Sequence, residues 1–205
     1  MLLAIDTSGP TLSLGLFDAA RARASTVEEI GRGHAERLVP AIAGLLDGSG
    51  VKPSALERIA VVVGPGSFMG LRVGIACARS MALGLGIEAV GVSRMRALAR
   101  PHGAVHVVLD ARRGAVFEQA FDAANEPTSP LRATATEDFT ADAVRIGGSG
   151  AALVGHDAVF ARDVPALADV AALALVEPLA PRPLYGRGAD AKPQRPPILS
   201  SAAQR

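Results

Sequence analysis

The sequence is poor in cysteine and in aromatic residues. Cys77 is its one cysteine, tryptophan is absent, and aromatic residues make up 3% of the 205 positions. A single cysteine excludes the internal disulfide frameworks of small secreted domains and is typical of a reducing compartment, so a cytoplasmic protein is predicted. The scarcity of aromatic side chains also disfavours a protein that binds single-stranded nucleic acid by stacking bases.

Neither sign of charge is in excess. Lysine and arginine number 21 against 20 acidic residues, a net charge of +1. This balance lacks the strongly basic footprint of a protein that holds nucleic acid by itself, so any RNA substrate would be held mainly by a partner chain. No apolar run approaches the roughly 20 residues of a membrane-spanning helix, and no membrane association is predicted.

Hydrophobic residues make up 49% of the chain, enough for a well-filled interior. The spacing of apolar residues predicts strands over 2–5, 11–16 and 24–30, a helix over 34–46, a strand over 59–63, a helix over 68–85, a strand over 87–92 and a helix over 93–100. The order β-β-β-α-β-α-β-α is typical of a ribonuclease-H-like lobe, the half-unit of the actin-like ATPases.

The second half of the chain begins like the first. At a constant offset, Ile5-Asp6 corresponds to Leu109-Asp110, and Phe17-Asp18 corresponds to Phe121-Asp122. We therefore predict an α/β, actin-like fold with duplicated lobes and mixed sheets. The second lobe is predicted to be shortened, with a strand over 152–155 and a helix over 165–176. The predicted boundaries are a ribonuclease-H-like lobe over 1–100, the shortened lobe over 101–180 and a proline-rich tail over 181–205.

Two segments have residues that could contact a phosphate. The first is a strand end followed by a turn, where a carboxylate and two hydroxyls could face a metal-bound nucleotide or could simply close an Asx turn. The second is a glycine-rich turn with a serine placed to cap the next helix, whose free amides could bind an anion. It is not a P-loop, because no Gly-Lys-Ser/Thr follows. The predicted vestigial nucleotide- or phosphate-binding residues are Asp6, Thr7, Ser8, Gly64, Gly66 and Ser67.

Small residues recur every four positions along the helix predicted over 68–85. They are Gly66, Gly70, Gly74, Ala78, Ala82 and Gly86. Such a row forms a shallow groove that a second element can approach closely. Because each interior glycine costs about 0.5–1 kcal/mol of helix stability, a compensating contact is expected. That contact is either with the helix's own sheet or with another subunit, in an interface shared with the helix over 34–46.

The sequence offers little for catalysis. Its histidines are His34, His102, His106 and His156. His102 and His106 have the spacing of a metal-binding pair, but in an extended segment residues four apart lie roughly 13 Å from each other. We therefore predict no catalytic and no metal-binding residue.

Five segments together resemble the TsaB (YeaZ) family. They are residues 5–8, 33–40, 64–74, 109–114 and 184–193. The Gly-Pro-Gly-Ser-Phe helix entry at 64–68 is the most specific of them. Met69 departs from the family pattern, which usually has threonine there, and this weakens a phosphate-binding role for the turn.

The resemblance implies a non-catalytic scaffold subunit. In the family this subunit pairs with TsaD, a larger catalytic paralogue, and works with the ATPase TsaE. The complex uses ATP and transfers a threonylcarbamoyl group to adenosine 37 of tRNAs that read ANN codons. No tightly bound cofactor is expected for this chain, tRNA is contacted through the complex, and the isolated chain could form a homodimer. The paralogue holds its metal with a His-x-x-x-His pair, which corresponds here to Arg94 and Leu98, and neither can bind a cation.

The same resemblance implies that the helices over 34–46 and 68–85 form the face that binds the paralogue. The predicted interface residues are His34, Leu38, Ile42, Leu45, Gly70, Gly74, Ala78 and Ala82. On this view Gly74→Leu would block pairing and leave the fold intact. The alternative functions are an independent actin-like ATP-dependent kinase that uses Asp6 and Thr7, and a metalloprotease-like hydrolase.

Overall fold

Two mixed β-sheets form the frame of the protein, in a computed structural model that describes residues 1–19, 21–31, 33–141 and 145–186. The first sheet has five strands in the order β3-β2-β1-β4-β5. Its strands are β1 (Leu2–Asp6), β2 (Thr11–Asp18), β3 (Arg21–Glu29), β4 (Arg58–Gly64) and β5 (Glu88–Ser93). The meander β1-β2-β3 is antiparallel, whereas β4 runs parallel to β1 and β5 parallel to β4.

Helices cover both faces of this sheet. The helices are α1 (His34–Ser49), α2 (Phe68–Leu85), α3 (Arg94–Ala99) and α4 (Leu167–Val176). Alternate residues of each strand point to opposite faces, so Leu3 and Ile5 of β1 join a core beneath α1 and α2. Leu2 and Ala4 of the same strand join a core beneath α4. The β-β-β-α-β-α-β-α order predicted for the first lobe is confirmed.

The second sheet repeats the first in reduced form. Its strands, in the order β8-β7-β6-β9, are β6 (Val105–Asp110), β7 (Ala115–Phe121), β8 (Arg132–Ala135) and β9 (Ile146–Gly147). As in the first sheet, an antiparallel meander is followed by a strand parallel to its first member. The protein thus has the predicted α/β, actin-like architecture of duplicated lobes, the second of them shortened.

Two predictions for the second half need correction, and a third falls mostly on residues that the structure does not describe. The predicted strand over 152–155 is a single 3₁₀ turn, Ala152–Val154, which Gly155 ends in a left-handed conformation. Helix α4 was assigned to the second lobe, but it packs on the first sheet, where its apolar residues meet β1 and β4. The predicted tail lies outside the described residues from position 187 onward.

Helix α2 is more apolar than the sequence prediction allowed. It has 18 residues with a mean hydropathy of 1.3, and by length and composition alone it could cross a membrane, the one such helix in the described part of the chain. Its inner face, including Leu71, Ile75 and Ala78, is buried against the sheet, and Arg72 and Arg79 are exposed. Packing in the core accounts for the apolar residues of this inner face.

Candidate functional site

The turn between β1 and β2 is bonded to the start of α2. One carboxylate oxygen of Asp6 accepts a hydrogen bond from the amide of Ser8 at 2.8 Å, which makes an Asx turn. The Thr7 hydroxyl donates to the carbonyl of Gly70 at 2.8 Å, and the amide of Ser67 donates to the carbonyl of Ser8 at 2.8 Å. These two bonds hold Thr7 and Ser8, which follow the end of β1, against the first turn of α2.

The glycines of α2 and its entry allow this close approach. A Cβ added to Gly70 would lie 2.0 Å from the carbonyl oxygen of Thr7, and one added to Gly66 would lie 2.2 Å from that of Ser8. At Gly74 it would lie 2.2 Å from the Thr7 hydroxyl oxygen. Contacts this short do not occur for real side chains. At Gly66 and Gly70 the contacted atom is backbone, so only glycine fits, and at Gly74 the Thr7 side chain would have to move. At these three positions the row of small residues is used within the chain and not by a second subunit.

The strand-end members of the predicted nucleotide-binding set are closed to solvent, whereas Ser67 of the glycine-rich turn is exposed. The side chains of Asp6, Thr7 and Ser8 are all buried. Ser67 caps α2 as predicted, because its hydroxyl accepts from the amide of Gly70 at 3.2 Å. The hydroxyl of Ser8 has no partner among the described residues, but solvent does not reach it. The residues of the β1–β2 turn could either contact a nucleotide or close an Asx turn, and this geometry matches the Asx turn. A phosphate could reach Asp6, Thr7 and Ser8 only if the turn moved.

A buried arginine lies beside this turn. Arg94 donates from Nε to the carbonyl of Asp163 at 2.9 Å and from a terminal nitrogen to the carbonyl of Pro65 at 3.1 Å. It therefore joins the glycine-rich turn to a loop of the second half. Leu98, one helical turn further on, is in the core of the second sheet. A guanidinium has no lone pair for a cation, so this place is chemically unsuited to a metal. Within the described residues, no group of three or more His, Cys, Asp or Glu side chains could hold a metal ion.

A second buried polar cluster lies on the face of the second sheet opposite the core that contains Leu98. His106 Nε2 is 2.9 Å from a carboxylate oxygen of Glu118, within ion-pair distance but not aligned as a hydrogen bond. The other oxygen of Glu118 accepts from Arg132 Nε at 3.0 Å and from the Thr134 hydroxyl. Because one carboxylate serves three neighbours, the cluster joins β6, β7 and β8. His102 stacks instead on Phe160, at 4.2 Å between ring centroids.

This cluster makes stability depend on pH. Burial lowers the pKa of His106, and this effect outweighs the opposing charge of Glu118. The folded state therefore prefers the neutral ring. The contribution of this preference to the free energy of unfolding is complete above the unfolded-state pKa of about 6.5, and it is lost as the pH falls below that value. We expect His106→Gln to lose less stability than the wild type between pH 7.5 and pH 5 in urea denaturation. Equal losses in the two proteins would contradict this assignment.

The predicted partner-interface residues point into the protein. His34, Leu38 and Ile42 of α1 are buried on the side of the helix that faces the first sheet. Leu45 packs against the core between α1 and this sheet. The residues of α2 in the set are also buried; they are Gly70, Gly74, Ala78 and Ala82. The four-residue spacing selected one face of each helix correctly, but it is the inner face. Gly74→Leu would therefore displace Thr7 and not leave the fold intact.

The opposite sides of the two helices carry exposed apolar residues. Val39 is 61% exposed and Met69 is 64% exposed. With their neighbours they form what we call the α1–α2 outer face, made of Val39, Ala43, Met69, Val73, Cys77 and Gly84. Sequence reasoning missed this set, although helical phase could have found it: Met69, Val73 and Cys77 are spaced four apart, out of phase with the buried residues.

Three helical glycines have no close neighbour within the described part of the chain. A Cβ on Gly84 in α2, or on Gly44 or Gly48 in α1, would meet nothing within 4 Å. Each costs about 0.5–1 kcal/mol relative to alanine in a helix interior. In contrast to Gly66, Gly70 and Gly74, no contact inside the chain offsets this cost.

Comparison with known proteins places these features in a family. Residues 26–146, more than half of the chain, match the family model described as TsaD: tRNA N6-adenosine threonylcarbamoyltransferase. The tRNA threonylcarbamoyladenosine biosynthesis protein TsaB of Bacillus subtilis (strain 168) is 35% identical over 120 residues, which cover 57% of this chain and 52% of that protein. The match thus spans about half the length of such curated relatives.

Two further matches cover nearly the whole chain. An uncharacterized protein of Mycobacterium tuberculosis (strain ATCC 25618 / H37Rv) is 33% identical over 205 residues, with 94% of each chain covered. The solved structure of YeaZ from Pseudomonas aeruginosa superimposes with a TM-score of 0.76 at 28% identity, covering 90% of this chain and 98% of that one.

Proposed function

Because this chain belongs to the TsaB (YeaZ) family, whose members act in tRNA threonylcarbamoyladenosine biosynthesis, we propose that it is a non-catalytic subunit of that machinery. It binds a TsaD-type catalytic paralogue in the cytoplasm and works with a TsaE-type ATPase. The complex uses ATP and modifies adenosine 37 of tRNAs that read ANN codons. The chain itself binds no cofactor tightly.

The main structural support for this proposal is the exposure of apolar residues on the α1–α2 outer face. Val39 and Met69 leave more than half of their side-chain surface in water, next to the half-buried Val73 and Cys77. Exposed apolar side chains on two helices that pack against each other are typical of protein–protein contact sites. Gly84 of this face is a helical glycine for which no contact within the described part of the chain compensates, and a partner helix that approaches closely would supply one.

The absence of catalysis in the isolated chain is proposed on two grounds. Asp6 and Thr7, which a kinase would direct at phosphate, are buried in the turn packed on α2. Arg94 stands at a position that the paralogue uses for a metal ligand, and it is bonded to two carbonyls. The competing kinase function predicts tight binding of Mg-ATP to the isolated chain in calorimetric titration, whereas the subunit proposal predicts none.

Reconstitution of the modification from purified components tests the proposal. The reaction contains tRNA, ATP, the threonylcarbamoyl adenylate-forming components, the paralogue and the ATPase, with or without this chain. We expect product formation to fall at least about tenfold without the chain, which corresponds to an increase of about 1.4 kcal/mol in the activation free energy. Equal product in both reactions, or product made by this chain without the paralogue, would contradict a scaffold role.

A further inference from the structure

A groove of about 700 Å³ runs beside α2, bounded on its other side by β5 and the chain around Tyr185. Two arginines, Arg72 and Arg79, lie along it together with Ser80 and Leu83. None of the described residues that line the groove is acidic. It is therefore positively charged in a protein whose overall charge is close to neutral.

Arg72 is held in place by aromatic side chains. Its Nε donates to the Tyr185 hydroxyl at 3.1 Å, and its guanidinium carbon lies 3.9 Å from the centroid of the Phe68 ring. The Phe68 and Tyr185 rings are 5.2 Å apart. These contacts fix the orientation of the cation without neutralising it, because in the described part of the chain no carboxylate lies within ion-pair distance of it.

Arg79 supplies a second positive charge along the groove. It lies seven residues after Arg72 on α2, so the two backbone positions are roughly 10.5 Å apart along the helix axis. The side chain of Arg79 is exposed and has no ion-pair partner among the residues that the structure describes. Two uncompensated charges at this separation suit a chain of phosphates better than a single small anion.

The sequence beyond the groove is also basic. Gly186 follows Tyr185 directly, and the remaining residues contain one acidic residue, Asp190. The basic residues of the same segment are Arg187, Lys192, Arg195 and Arg205. Positive charge therefore accumulates in the sequence that leaves this end of the groove.

We propose that this groove binds the phosphodiester backbone of an RNA strand, and that within the complex of the proposed function the strand belongs to the tRNA substrate. Arg72 and Arg79 contact phosphates, and Tyr185 offers a ring at the groove's edge on which a base can stack. The inference rests on the proposed function for the identity of the RNA. Because only two arginines of the described residues contribute, this contact adds to tRNA binding that the paralogue supplies mainly.

The test measures the affinity of the complex with the paralogue for a labelled, unmodified tRNA that reads an ANN codon, at 50 and 200 mM salt. Arg79→Glu is the test variant, because Arg79 makes no hydrogen bond or ion pair with the residues that the structure describes. Arg23→Glu, at an exposed arginine of β3 outside the groove, makes the same change in charge. We expect Arg79→Glu to weaken tRNA binding about tenfold and to reduce the dependence of log affinity on log salt by about 0.7–0.9, with Arg23→Glu unchanged.

Complex formation is measured in parallel by size-exclusion chromatography. Equal tRNA affinities for Arg79→Glu and Arg23→Glu would overturn the proposal and leave the scaffold function standing. If the Arg79→Glu variant no longer binds the paralogue, the RNA proposal is also overturned, because the groove would then be a contact site for a protein partner. A wild-type chain that forms no complex with the paralogue would overturn both proposals together.

Discussion

Gly70→Ala is expected to lower the free energy of unfolding by about 3 kcal/mol, a large share of the stability of a domain. The added methyl group would lie 2.0 Å from the carbonyl oxygen of Thr7. That carbonyl is backbone and cannot rotate away, so either the β1–β2 turn or the start of α2 must move. Movement would also weaken the hydrogen bond from the Thr7 hydroxyl to the carbonyl of Gly70, worth about 0.5–1.5 kcal/mol.

Gly84→Ala provides the matched control in the same helix. Nothing lies within 4 Å of its added methyl group, so only the backbone effect remains. We expect this variant to gain about 0.5–1 kcal/mol. Urea denaturation of both variants measures the difference. A loss of less than 1 kcal/mol for Gly70→Ala, or a shift of the same sign in both variants, would show that the turn does not need these glycines.

The pair of glycines also illustrates what the sequence could predict and what it could not. Periodicity and turn residues predicted the first lobe, because strand alternation and helical spacing are local properties of the chain. The row of small residues in α2 could be read from the sequence for the same reason. The contact that this row makes could not be predicted, because Thr7 is far from α2 in sequence and comes close only when β1 and β4 pair in parallel. The two interpretations of the row could therefore not be separated without the structure.

Long-range contacts also explain the other corrections. Helix α4 was assigned to the second lobe by its position in the sequence, but it packs across the first sheet, and no local pattern encodes that path. Glu118 joins His106 and Arg132 only through the register of β6, β7 and β8, so this cluster was not predicted. The duplication of the lobes was predicted, because it left matching residues at strand ends in both halves.

Val39→Asp is expected to weaken binding of the TsaD-type paralogue at least 100-fold. On the proposed interface an aspartate at this position would be buried without a partner, which costs about 3 kcal/mol, and a 100-fold change corresponds to about 2.7 kcal/mol. The isolated chain should tolerate the change, because Val39 is 61% exposed and valine and aspartate have similar helix propensities. Val27→Asp is the matched control, since Val27 is 62% exposed but lies on β3, away from the α1–α2 outer face.

Gly84→Leu gives a second, independent disturbance of the same face. Its Cβ would meet nothing within 4 Å in the described part of the chain, and its side chain would fill the space that a close partner helix would occupy. It should therefore raise the stability of the chain and lower its affinity for the paralogue. This combination separates a loss of binding from a loss of folding.

The dissociation constant of the complex between this chain and the catalytic paralogue, measured by calorimetry, tests the docking role most directly. We expect Val39→Asp and Gly84→Leu each to raise this constant by a large factor, and Val27→Asp to stay within about twofold of the wild type. If all three variants bind the paralogue as the wild type does, the α1–α2 outer face is not the docking surface.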